Sequence, residues 1–232
     1  MPLPIRAIGP VFTPRHMSKL AWWIDPSDRS SVTLDGVSGK ISEIADRGPR
    51  ARNATQTTDA NRPSLGTLNG LGCIDQGTSA SNINMTIPTS NAIASQEICA
   101  VCKLDITNAT WPDILYVMES AIGSTGGTTN WLSNCNEAGY IGCEFLTNAI
   151  SGSSGVLSDV KAGAVVFAWS PASGFNTTRA LARLGNQTDF LNRSWRGRIG
   201  EVCGFSAELT AEERRRMRLY LAHKWGITAA IY

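Results

Sequence analysis

Histidine is almost missing from this 232-residue chain, which has only His16 and His223. Neither lies near a nucleophile motif, so the residues offer no Ser/His/Asp or Cys/His hydrolase. Lysine is scarce, with five against sixteen arginines, and charged residues make up only 17%. The net charge of +2 does not describe a polyanion binder, and no nucleic-acid partner is expected. Runs of the roughly 18 apolar residues that a membrane span needs are absent, so no membrane association is expected. There is no internal repeat and no sustained heptad, which argues against a fibre shaft. The glycine-rich "GSTGGTTNW" at 123–131 lacks the Lys-Ser/Thr ending of a phosphate loop and reads as a hairpin turn.

What is present is β-type sequence. Apolar residues reach 42%, enough for a sizeable core, and the chain fits one large domain. Short apolar or alternating runs stand at 20–25, 39–46, 71–76, 82–87, 97–104, 114–119, 140–146, 164–170, 177–185 and 198–206, each bounded by Gly, Pro, Asn, Asp or Ser. In "GKISEIAD" the alternation is read as Ile41 and Glu43 opposite Ser42 and Ile44. The expected fold class is all-β: an antiparallel β-sandwich, residues 20–232, ending in one helix at 210–225 that packs on it. The helix is read from Thr210 and Glu213, a capping box in which each side chain satisfies an orphan backbone N–H. Met217, Tyr220, Leu221, Lys224 and Trp225 fall on one face, and Gly226 stops the helix. Its arginines are assigned to a solvated outer face, with Arg216 paired to Glu212 one turn earlier.

Residues 1–19 form a proline-rich arm without an acidic residue. Proline fixes φ and removes a donor, so the arm should be extended. Its apolar residues, Ile5, Ile8, Val11 and Phe12 among them, have no obvious home in their own domain. They are expected to dock on a neighbouring subunit, with a mobile tail as the competing reading. Four prolines interrupt any signal-peptide core, so synthesis in a reducing cytosol is expected. The six cysteines are then free thiols. Cys99 and Cys102, three apart on a strand, point to opposite faces, which argues against a shared metal or redox site.

Two stretches resemble one family. "LAWWIDPSDRSSVTLDGVSGKISEIADRGPRARNATQTTDANRPSL" at 20–65 is similar to the opening of concanavalin A-like, laminin-G-type jelly-roll domains. Trp23, Asp25, Asp28, Ile41, Asp46, Gly48, Ala54, Gln56, Arg62 and Pro63 stand at the motif's places. The chain departs from it where Ile44 replaces a tryptophan and Arg47-Gly48-Pro49 replaces Ser-Gly. "GRIGEVCGFSAELTAEERRRMRLYLAHKWGI" is similar to the family's close, at Ile199, Glu201, Leu209, Thr210, Glu213, Tyr220, Leu221, Lys224, Trp225 and Gly226. The closing motif is the more specific of the two.

The resemblance implies the jelly-roll sandwich with its helix and, without a leader, the bacteriophage side of the family. The expected function is a non-enzymatic virion structural protein, a head decoration or an accessory tail component, made in the host cytoplasm. Its expected partners are other virion proteins and, as a homo-oligomer, further copies of itself. The alternative is a carbohydrate-binding module, with Trp111, Trp131, Tyr140 and Trp195 as candidate platforms for glycans. A glycoside hydrolase is the third reading. Hydrolases of the superfamily place carboxylates as E-x-D-x-E, and here Glu43 with Asp46 and Asp113 with Glu119 lack that spacing. No cofactor is expected. Calcium is the one candidate metal, with Asp25, Asp28 and Asp46 as its ligands.

Overall fold

The computed structural model describes residues 12–78, 82–87, 97–104, 116–121, 131–133, 144–146, 165–170, 180–185 and 195–227. Trp111 and Tyr140 lie outside these residues, as do Ile5, Ile8 and Val11. Trp131 lies in a described strand, but its side chain is not among those described.

The strands are β1 (Leu20–Ile24), β2 (Val32–Leu34), β3 (Ile41–Ile44), β4 (Ala54–Thr55), β5 (Ser64–Leu68), β6 (Leu71–Asp75), β7 (Met85–Thr86), β8 (Glu97–Leu104), β9 (Tyr116–Ala121), β10 (Trp131–Ser133), β11 (Glu144–Leu146), β12 (Val165–Ser170), β13 (Ala180–Leu184) and β14 (Gly197–Phe205). One helix, α1 (Ala211–Trp225), follows them. The strands form two antiparallel sheets. The first runs β11-β12-β8-β14-β6-β5, with β1 also beside β14. The second runs β10-β9-β13-β7-β4-β3-β2. The architecture is thus an all-β sandwich with one C-terminal helix.

Period-two alternation divides the first sheet into two faces. Trp23, Cys73, Cys99, Val101, Cys203 and Phe205 pack with Met217, Leu221 and Trp225 of α1. Their strand neighbours Trp22, Ile74, Ala100, Cys102 and Val202 are just as buried and point the other way, toward the second sheet. Cys99 and Cys102 therefore lie on opposite faces as free thiols. The second sheet supplies buried Ile41, Ile44, Ala54, Met85 and Leu184. So α1 covers the outer face of the first sheet, giving three layers.

Glycines let tryptophans approach β14 from both sides. A Cβ at Gly200 would stand 3.0 Å from the Trp225 ring, and one at Gly204 would collide with the Trp22 indole. The same strand thus holds a flat contact for the helix on one face and for the sandwich core on the other.

Two sequence expectations change here. Ile41 and Ile44 are both fully buried, although simple alternation separates them. Thr33 pairs Glu43 and Leu34 pairs Ile41, so Ser42 is an extra residue that flips the parity of β3. The arm also ends sooner than residue 19. Pro14–His16 form a 3₁₀ turn rather than extended chain. Met17 is buried in the cluster under α1, and Phe12 packs against it, its ring edge-on to Tyr220 at 6.1 Å. From Phe12 onward the chain's own helix receives these apolar groups.

Candidate functional site

Five of the residues from the two end motifs, Trp23, Asp25, Tyr220, Lys224 and Trp225, meet around a sixth, the carboxylate of Glu201. Glu201, on the helix-facing side of β14, is completely buried. Its Oε1 accepts the Trp23 indole N–H at 2.6 Å and the Tyr220 hydroxyl at 3.0 Å. Its Oε2 accepts Lys224 Nζ at 2.6 Å and the Trp225 indole N–H at 3.1 Å. Lys224 also donates to Asp25 at 2.8 Å. Four donors from β1 and α1 therefore fill the acceptor sites of a group that would otherwise be costly to bury.

Asp25, 1% exposed, takes Arg47 at 2.7 Å on the same Oδ2 that accepts Lys224, while its Oδ1 accepts the Ser27 hydroxyl at 2.6 Å. The Arg47 guanidinium lies over the Trp23 ring, 4.3 Å from its centroid, and reaches Asp28 at 3.2 Å. Asp46 positions the loop that carries Arg47. It accepts the backbone N–H groups of Trp23 and Gly48 at 2.7 Å and of Arg52 at 2.9 Å. Gly48 is required there, since a Cβ would stand 2.6 Å from the Trp22 Cα.

A second buried carboxylate holds the other end of α1. Glu97, at the start of β8 and fully buried, accepts the Leu209 N–H at 2.8 Å. Arg214 straddles it with Nε at 2.7 Å and Nη2 at 3.2 Å, a charge-assisted fork. The capping box at Thr210 and Glu213 forms as expected, and Glu213 also takes Lys19 at 2.6 Å. At the far end Gly226 adopts the left-handed conformation, and Asn69 donates its side-chain amide to Trp225 O at 2.6 Å.

The electrostatics describe a closed site. Burial pushes the Glu201 carboxyl up, and the charge of Asp25 adds to this; the Lys224 ammonium and the bonds from Lys224 and Trp225 oppose it. Burial, with the charges of Glu201 and Asp25, raises the Tyr220 phenol well above its usual range. Burial likewise raises the Cys203 thiol, with Cys99 adding to it. Neither group is activated as a nucleophile, and Glu201 has no route to solvent. Four donors enclose the Glu201 carboxylate, and the arrangement fastens the helix to the sheet.

The sequence reading of the sites is altered in three places. Trp195 is a core residue, fully buried, with its indole N–H donating to Lys103 O at 3.1 Å and Arg198 O at 3.3 Å. It offers no glycan platform. The calcium candidates are occupied by the protein's own groups: Asp25 by Lys224 and Arg47, Asp28 by Ser30 and Arg47, and Asp46 by three amides. Among the described residues no group of three or more His, Cys, Asp or Glu side chains is placed to hold a metal ion. Arg214, assigned to a solvated face, is the partner of Glu97. Glu97 was missed altogether; the signal was a lone acid opening the apolar run "EICAVCKL". His223 is exposed, as a rim residue would be.

No helix among the described residues is long and apolar enough to cross a membrane. No protein-family model matches the chain, and no curated protein matches it. Among solved structures it is similar to a Trypanosoma rangeli sialidase in complex with sialic acid, with a TM-score of 0.46 and 11% identity. That match covers 98% of this chain and 36% of the sialidase, so the chain spans about a third of that protein's length.

Proposed function

We propose that this chain is a non-enzymatic structural domain of the concanavalin A-like, laminin-G type, serving in a bacteriophage virion as a head decoration or accessory tail component. One observation supports the family reading. Trp23, Asp25 and Asp46 from the opening motif and Glu201, Tyr220, Lys224 and Trp225 from the closing motif share one bonded network, although Trp23 and Glu201 are 178 residues apart. Residues that match a motif at both ends and then join physically have a common structural purpose. That purpose is to clamp a helix on a sheet, which suits a rigid building unit. The close carboxylates Asp25 and Glu201 serve the clamp, not a reaction.

In this reading the docking element is the stretch ahead of Phe12, with Ile5, Ile8 and Val11. Mass spectrometry and electron microscopy of purified phage particles that encode the chain test it. Stoichiometric presence at a defined surface position supports the reading. Absence from particles, together with specific hits on a glycan array, would replace it with the carbohydrate-binding alternative.

A further inference from the structure

Between the N-terminal turn and the loop after β3 lies a cleft of about 430 Å³, lined by Arg15, Met17, Ser18, Leu20, Arg47 and Pro49. Both walls are fixed without reference to any ligand. On one side the Thr13 N–H donates to the His16 ring at 3.0 Å, closing the turn that presents Arg15. On the other, Asp46 and the close approach of Gly48 to Trp22 hold the Arg47–Pro49 segment. The floor is formed by the small exposed edges of Met17 and Leu20, each 7% exposed and otherwise packed in the cluster under α1.

The two guanidinium groups at this cleft differ. Arg47 is neutralised by Asp25 and Asp28 and is pinned flat on Trp23. Arg15 is exposed and forms no ion pair among the described residues. One free guanidinium beside an apolar floor calls for a single anionic head joined to a body with an apolar face. The planar fork of arginine matches a carboxylate in two-point contact. The volume falls in the usual range for small-molecule sites, roughly 300–1,000 Å³.

We propose that this cleft binds a small organic carboxylate, with its head on Arg15 and its body on Met17, Leu20 and Pro49. The proposal does not rest on the virion reading: it is argued from Arg15, Met17, Leu20 and Pro49 alone.

The test is a nuclear magnetic resonance titration of the full chain, following the Arg15 side-chain N–H and the Met17 methyl. The probes are benzoate (head and flat apolar body), acetate (head alone), benzyl alcohol (body alone) and inorganic phosphate. Benzoate should shift both signals saturably, and acetate and benzyl alcohol should bind at least about tenfold more weakly. Replacing Arg15 with Gln should weaken benzoate about tenfold, the loss expected for one charge-assisted contact. Arg50→Gln, an exposed change that does not line the cleft, should leave benzoate binding intact. The proposal is overturned by no saturable shift with benzoate, by equal binding to Arg15→Gln, or by acetate or phosphate binding as tightly as benzoate.

Discussion

Arg214 grips Glu97 across 117 residues of sequence, two nitrogens on two oxygens, with Glu97 wholly buried and Arg214 still a quarter exposed. Arg216, two residues on, pairs with Glu212 at 3.1 Å, but both side chains are more than half exposed. The same residue type should therefore behave in two ways on one helix. Arg214→Ala leaves an uncompensated buried charge and should cost about 3 kcal/mol or more. Arg216→Ala should cost no more than about 0.5 kcal/mol. Urea unfolding of the two variants measures the difference, and equal losses would remove the Glu97 latch.

At the other end of the helix, Lys224→Met leaves Glu201 and Asp25 facing each other without their shared cation. A loss of about 3–5 kcal/mol at neutral pH is expected. The pH trend carries a sign. Burial already raises Glu201, and removing Lys224 takes away a force that opposed the rise. A carboxyl raised in the folded state favours folding at low pH and disfavours it as pH climbs through the raised value. The deficit of Lys224→Met should therefore shrink on mild acidification, and thermal melts along a pH series would show it. A deficit that grows with acid contradicts the assignment.

Asp35 works in the opposite direction. Backbone N–H groups of Ser38 and Val37, then the Ser38 hydroxyl and Arg62, hold its carboxyl down to about 2 from 3.8. Its contribution to the β2–β3 turn is complete above pH 3.8 and is lost as pH falls through about 2. Asp35→Asn should be less stable than the parent at neutral pH, and the gap should close over that acid window. A gap independent of pH would show that the turn does not depend on the charge.

The division of the arm at Phe12 separates two truncations. Removing residues 2–11 should leave the melting temperature close to that of the full chain while weakening assembly into particles. Removing residues 2–17 also deletes Met17 and Phe12 from the cluster under α1. Loss of a buried Met alone costs about 2–5 kcal/mol. Calorimetry on the two truncated chains distinguishes them, and identical melting temperatures would contradict the packing of this segment on its own helix.

Much of this fold was legible where local rules suffice. The capping box, the apolar face and the glycine stop located α1 to within a residue, and the run at 97–104 is β8 residue for residue. Trp23, Asp25 and Asp46 of the opening motif and Glu201, Tyr220, Lys224 and Trp225 of the closing motif proved to be neighbours. What failed was non-local or small. Strands β2 and β4 have three and two residues, too few for a period to register. The extra residue at Ser42 reverses parity and leaves no mark in composition. Arg214 looked solvated because reasoning along the helix sees partners only one turn away, and its partner is on β8. Trp195 stayed a candidate for a related reason: a tryptophan is more often core than binding platform, as here, but only its neighbours decide.

The pairing of β1 with β14 also sets an order of events during synthesis. Trp22 and Trp23 leave the ribosome well before their native partners Gly204 and Cys203. With Glu201 178 residues behind Trp23, and elongation at about 5–20 residues per second, the wait is roughly 10–35 s. Throughout that interval β1 lacks its strand partner in the sheet and the helix that covers it, and has the Asp46–Arg47 segment bonded to it. Native assembly of the first sheet cannot finish until its central strand has been made. Until then the indoles of β1 are exposed apolar surface, the kind that makes a partly folded chain prone to aggregate.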